Sequence, residues 1–224
     1  MPSVFQKYEA EVYKNRYEGR IKVHALAGGI PSDPKKAEAW LKTKLMDKDD
    51  VIRQKVAETM IDRAVDVDEA TETEVIRSHL NGFKRDDTGL FIEGRQLKAA
   101  IREAANVRWP KRSGWGGIPR KGTRSFFAEH VFVVEDKLHL KHGDDFVTEP
   151  TGVVQRFVHT WRGNGIQYEE YVEDAEFDFT VITDNDFTAE EWGLLWVTGQ
   201  QQGVGATRSQ GFGRYEVTRW DQVK

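Results

Sequence analysis

The 224-residue chain contains no cysteine and only 3 methionines and 6 prolines. Without thiols there is no disulfide framework and no thiolate zinc site, and a reducing cytoplasm suits the composition. No stretch approaches the ~20 consecutive apolar residues that a bilayer-spanning helix needs. The opening MPSVFQKYEAEVYK also lacks the apolar core of a signal peptide. A cytoplasmic protein with no membrane attachment is therefore expected. Cofactor motifs, metal-ligand clusters and catalytic triads are missing as well, so neither a cofactor nor a metal is expected.

A net positive charge is also lacking. The formal charge is −4, which at first argues against contact with phosphates, since those require cations. The charges are segregated, however. From Arg108 to Arg124 lie six bases (Arg108, Lys111, Arg112, Arg120, Lys121, Arg124) and no acid. From Glu169 to Asp178 lie six acids and no base. Such a chain can present a cationic track while remaining acidic overall. Head-to-tail contact between the two stretches would build a homo-oligomer.

Alternation at Ile21, Val23 and Ala25 predicts a strand, which runs into the turn formers Gly28-Gly29-Ile-Pro31-Ser-Asp33-Pro34. Three helical patterns follow: Ala37, Trp40, Leu41 and Leu45; then Ile52, Val56, Met60 and Ala64; then Val75, Ile76 and Leu80. Residues 35–83 thus read as a helical lobe inserted into a core formed by 1–34 and 84–224. Gly89–Gly94 predicts a short strand leading into a helix over 95–107. Strands are expected near 130–134 and 137–140, then at 152–161 and 166–182 around a hairpin turn at Arg162-Gly-Asn-Gly165. Thr188-Ala-Glu-Glu191 is a capping box ahead of a helix bearing Trp192, Leu195 and Trp196. A glycine-rich loop and a final strand at 215–220 close the chain. The order is that of an α+β fold with an antiparallel, ferredoxin-like sheet.

Three elements carry binding chemistry. On the 95–107 helix, Leu97, Ile101, Ala104 and Ala105 form the buried side, while Arg95, Lys98 and Arg102 share an adjacent stripe. Gly94 precedes them, so free N–H groups of the first turn would meet an anion closely. In Gly203-Val-Gly205-Ala-Thr207-Arg208-Ser209-Gln-Gly211-Phe-Gly213, four glycines in eleven residues let the backbone lie against a ligand. Arg208, Thr207 and Ser209 there suit phosphate or ribose oxygens. It is neither a Walker loop nor a dinucleotide fingerprint. Third, the basic stretch 108–124 is interleaved with Trp109 and Trp115 and followed by Phe126 and Phe127, the pattern of a single-strand binder that stacks bases and follows phosphates.

The stretch Gly89-Leu-Phe-Ile-Glu-Gly94-Arg-Gln-Leu97-Lys98-Ala-Ala-Ile-Arg102 resembles the motif of the RAMP superfamily of CRISPR-type RNA-binding proteins. Gly203–Val217 is similar to that superfamily's glycine-rich loop and following strand, and Gly19–Leu26 to its first strand. The order of these pieces looks most like the repeating backbone subunit of type III effector complexes. The resemblance departs at Glu93, at Arg95-Gln96 and at Ala99, where the motif carries proline, two serines and glycine. It implies a modified RRM core that grips a guide RNA within a CRISPR effector assembly, subunits stacking head to tail along the strand, with other effector subunits as partners. On this resemblance Gly94, Arg95, Gln96, Lys98 and Arg102 correspond to the gripping helix. Gly203, Gly205, Arg208, Ser209, Gly211 and Gly213 correspond to the loop.

Single-stranded RNA is the expected ligand, with single-stranded DNA the alternative the residues leave open. Two catalytic readings stand beside binding, both of an endoribonuclease. The type III branch uses an aspartate after the first strand, matched here by Asp33. A precursor-processing branch uses a histidine, for which His24 could act as general base. Without nucleic acid, the same charge pattern would describe a self-assembling structural protein.

Overall fold

The computed structural model describes residues 11–31, 80–110, 122–160 and 163–223, with the side chains of 30, 31 and 157–166 left out of that description. The strands are β1 (Asn15–Val23), β2 (Ala25–Ala27), β3 (Ile30–Pro31), β4 (Leu80–Gly82), β5 (Lys84–Arg85), β6 (Leu90–Glu93), β7 (Val131–Val133), β8 (Lys137–His139), β9 (Lys141–His142), β10 (Asp145–Phe146), β11 (Gly152–Thr160), β12 (Gly163–Glu173), β13 (Glu176–Thr183) and β14 (Tyr215–Val223). The α-helices are α1 (Gly94–Arg108), α2 (Thr123–His130) and α3 (Ala189–Gln202).

The chain divides into two units: Met1–Ala27 with Lys84–Thr151 and Val172–Lys224, and Gly28–Phe83 with Gly152–Tyr171. In the first, β1, α1, β7, β13, α3 and β14 follow one another, and the sheet runs β14-β1-β13-β7 with every neighbour antiparallel. A β-α-β-β-α-β order with the last strand beside the first and the third between first and second is the ferredoxin-like arrangement. The α+β expectation therefore holds. Short strands β9 and β10 prolong the sheet beyond β13, and β5, β6 and β8 form a separate three-stranded sheet.

Alternation explains which face is covered. Ile21, Val23, Phe177, Phe179 and Val181 point inward and are 0–2% exposed. The helices answer with Leu97, Ala100, Ile101 and Ala104 from α1 and Trp192, Leu195 and Trp196 from α3, all buried. Each large side chain so removed from water contributes about 1.5–3 kcal/mol. Gly19 belongs to the same packing, because a Cβ there would run into the ring of Phe179. The Thr188 cap is as expected: its Oγ1 accepts from the Glu191 N–H at 3.2 Å, and Glu191 accepts from the Thr188 N–H at 2.8 Å.

Three boundaries differ from the sequence reading. The strand expected over 166–182 is two strands in two sheets, broken at Asp174, whose φ of 50° is left-handed. Aspartate tolerates that region, and the run of acids and apolar residues across it gives no warning. The first strand likewise breaks at a bend at His24, leaving Ala25 half-exposed in β2. Leu80, expected on the third helix of the inserted lobe, lies in β4, where Asn81 and Gly82 pair with Pro31 and Ile30. The other residues named on those three helices lie outside the described residues.

In the second unit β11 and β12 form a regular antiparallel hairpin, from Gly152↔Tyr171 to Thr160↔Gly163. Glu169 is 2% exposed and ion-paired with buried Arg156. Glu170 accepts the N–H groups of Phe83 and Gly28, through its carboxylate at 3.1 Å and its carbonyl at 3.0 Å.

Candidate nucleic-acid interface

The glycine-rich loop stands where β1 ends and β14 begins, at the Val23↔Tyr215 pair. Helix α3 stops because Gly203 takes a φ of 76°. The loop is then closed at its base, with the Val204 N–H donating to the Gly213 carbonyl at 2.8 Å and the Gly213 N–H to that of Ala25 at 2.6 Å. Gly213 has a φ of 76°, and a Cβ on it would collide with the carbonyl oxygen of Val204. Between these feet Thr207 adopts a φ of 58° and Arg208–Gln210 make one 3₁₀ turn.

Arg208 does not point into open solvent. Its guanidinium meets the Glu103 carboxylate of α1 at 2.6 Å, and its Nη1 donates to the Gly203 carbonyl at 3.4 Å. The loop and the motif helix are thereby joined along one open groove of about 570 Å³, lined by Glu103, Gln201, Gln202, Gly205, Thr207, Arg208 and Ser209. Glu103 and the two glutamines escape the sequence reading, which weighs the cations of α1 and the glycines. The only hint is that Glu103 lies on a flank of the helix away from Lys98.

The start of α1 is closed rather than open. The Gly94 N–H donates to the Asp136 carbonyl at 3.0 Å, and Glu93 and Gln96 form a capping box in which the Glu93 N–H donates to Gln96 Oε1 at 2.9 Å. A Cβ on Gly94 would strike the Glu135 carbonyl. This glycine therefore serves close packing, and an anion would have to displace the chain's own acceptors.

The three cations of the helix stripe have separate fates. Arg95 is exposed and forked onto Glu93 at 2.8 and 2.5 Å. That contact, against the opposing effect of burial and with help from Lys84, holds the Glu93 carboxyl below its ordinary range. Lys98 turns inward, donating to the Ala128 carbonyl at 2.9 Å and lying 3.8 Å from the centre of the Phe132 ring. Burial, and then the charge of Arg102, lower its pKa. Arg102 has no acid beside it, and its Nε is buried without a hydrogen-bond partner among the described residues.

Of the basic stretch, Lys111, Arg112, Arg120 and Lys121 lie outside the described residues, as does Asp33. The described ends of the stretch are tied together, since the Thr123 hydroxyl donates to the Trp109 carbonyl. Arg108 and Arg124 flank that tie and are exposed.

The acidic run does not make one surface. Glu169 and Glu170 are consumed inside the hairpin unit. Asp178 instead binds Arg20 through a fork at 2.8 and 3.1 Å, with Lys141 at 3.3 Å and Arg219 at 3.6 Å. Outward positions of the two central strands hold Arg16, Glu18, Arg20 and Lys22 on β1 and Glu176, Asp178, Thr180 and Ile182 on β13. None of these is aromatic, so the RRM mode of stacking bases on the central strands is not available here.

His24 is 57% exposed, with the Glu216 carboxylate at 3.9 Å. Two other histidines sit on aspartates instead: His130 Nδ1 is 2.9 Å from Asp184 and His139 Nε2 is 3.0 Å from Asp86. Among the described residues no helix is long and apolar enough to cross a membrane, and no group of three or more acids and histidines is placed to hold a metal.

No family model matches the chain, and no curated protein matches it. Among solved structures it is similar to a chain from the cryo-EM structure of the type III-B Cmr-beta complex bound to cognate target RNA. The TM-score is 0.47 and the identity 11%, over 98% of this chain and 65% of that one. So distant a likeness carries neither ligand nor mechanism across.

Proposed function

We propose that this protein grips single-stranded RNA as a RAMP-like subunit of a CRISPR-type ribonucleoprotein. The observation that carries the reading is the clasp of Arg208 to Glu103. It joins the glycine-rich loop to the motif helix along one groove, so two sequence segments about a hundred residues apart form a single surface. The first strand, the motif helix and the glycine-rich loop also occupy the first strand, first helix and last connection of one ferredoxin-like unit.

In this reading phosphates are followed by the described cations with no acid beside them among the described residues, Arg102 first, then Arg108 and Arg124, and by Lys111, Arg112, Arg120 and Lys121 of the same basic stretch. Arg95 reaches them by leaving Glu93. Backbone-following contacts of this kind tolerate any sequence, which suits a subunit that repeats along a guide. Assembly along the strand would then depend on RNA more than on a meeting of acidic and basic faces, because most of the acidic run is already paired within the chain.

The test is purification under gentle salt, with nuclease-sensitive absorbance measured, followed by titration of labelled single-stranded RNA and DNA at two salt concentrations. Tight, salt-sensitive RNA binding that weakens in Arg102→Ala and in Arg108→Ala/Arg124→Ala is expected. A folded protein that binds neither strand at low salt would sink the reading.

A further inference from the structure

The groove at the glycine-rich loop differs in chemistry from a phosphate site. Its one cation, Arg208, already has its charge met by Glu103 at 2.6 Å. Its remaining polar lining is neutral: the carboxamides of Gln201 and Gln202 and the hydroxyls of Thr207 and Ser209. A phosphate entering here would accept from Arg208 only while sitting against the Glu103 carboxylate, a like-charge arrangement.

A nucleobase edge places N–H donors beside carbonyl or ring-nitrogen acceptors. It would give a donor to Glu103 and an acceptor to Arg208 while leaving that pair intact, and the carboxamides supply one further donor and acceptor each. The volume, about 570 Å³, falls in the range of about 300–1,000 Å³ that small ligands occupy. Gly205, with a φ of 80°, contributes backbone to the lining, and a Cβ on it would run into the side chain of buried Leu26. None of the lining residues is aromatic, so the base would be held by its edge and not by stacking.

From this geometry we infer that the groove between Glu103, Arg208 and the paired glutamines at the end of α3 is a base-edge pocket, taking one unstacked nucleobase of a bound strand. The inference deepens the RNA-binding reading and rests on it. It also divides the labour of the interface: cations outside the groove follow phosphates, and the glycine-rich loop holds a base.

The test compares a short mixed-sequence RNA with an abasic strand of equal length, each titrated over a salt series. The proteins are wild type, Glu103→Gln and Gln201→Ala/Gln202→Ala, the last pair being exposed at the helix end and safe for folding. Wild type should bind the RNA at least about tenfold more tightly than the abasic strand, the worth of one hydrogen bond to a charged group. That gap should shrink in both variants while the salt slope stays unchanged.

An undiminished gap in both variants, or a salt slope that falls in them, overturns the inference and makes the groove a bystander or a phosphate site. If neither strand binds at all, the RNA-binding reading has failed by itself. The pocket is then read alone, from side-chain amide NMR shifts of Gln201 and Gln202 on adding mixed nucleosides or inorganic phosphate. Shifts with nucleosides only support the pocket, and shifts with phosphate only, or with neither, overturn it.

Discussion

The ammonium of Lys98, on the second turn of α1, donates to the carbonyl oxygen of Ala128 in the last turn of α2. A helix leaves its final carbonyls without intrahelical partners, and a cation there satisfies one of them and meets the negative end of the helix dipole. The Phe132 ring beneath the same ammonium adds a cation–π contact. A residue that in sequence is one of three phosphate-facing cations thus fastens two helices together. Lys98→Met keeps the side chain's length and removes both charge effects. It should cost about 1–2 kcal/mol in urea unfolding while lowering RNA affinity less than Arg102→Ala does.

Arg102 is the counterpart, a guanidinium with no acid beside it among the described residues. If it follows a phosphate, Arg102→Ala will weaken RNA binding at low salt and reduce the slope of log K against log salt by about 0.7, the value for one contact on a single strand. Titration of labelled RNA over a salt series reads both numbers. An unchanged slope would remove Arg102 from the interface.

The glycine-rich loop allows a controlled comparison between two of its glycines. Gly211 and Gly213 both have left-handed φ, at 92° and 76°. A Cβ on Gly211 meets nothing, whereas one on Gly213 collides with the Val204 carbonyl. Gly211→Ala should therefore cost about 1 kcal/mol, the conformational term alone. Gly213→Ala should cost clearly more and loosen the base of the loop, seen as faster amide exchange at Val204, whose N–H donates to the Gly213 carbonyl.

Asp178 sets an acid dependence. Burial pushes its pKa up, but the hydrogen bonds from Arg20 and Lys141 outweigh that and hold it below the ordinary carboxylate range. A carboxyl whose folded pKa is depressed stabilises the fold above the unfolded value, and that stability disappears as the pH falls through the folded value. Asp178→Asn should be less stable than wild type at neutral pH by about 1 kcal/mol, since the pair is half-exposed. The difference should begin to close once the pH drops below about 4. Urea unfolding of both proteins across that range tests it, and a gap that persists in acid would refute the assignment.

Thr188 tests the capping box on α3. Its replacement by alanine leaves the Glu191 N–H unpaired and should cost about 1 kcal/mol, measured by thermal unfolding, with RNA binding unchanged because the cap is at the far end of the helix from Gln201 and Gln202.

What was legible in the sequence is whatever short-range periodicity and local chemistry decide. The inward rows Ile21–Val23 and Phe177–Phe179–Val181, the buried side of α1, the cap at Thr188 and the stop at Gly203 each depend on neighbours within a few residues. Together they specify an α+β order that the 4-1-3-2 sheet completes. The order of the residues also determined that charge is segregated along the chain. Where those charges go was decided by tertiary structure, because a side chain's partner can lie anywhere in the sequence. Glu103 meets Arg208 across about a hundred residues, Asp178 meets Arg20 across 158, and Glu169 vanishes into the hairpin against Arg156. The left-handed Asp174 divides a single alternating run between two sheets, since its backbone turns in response to the bonds Asp174 and Ala175 make with His24 and Val23, and no local pattern records them.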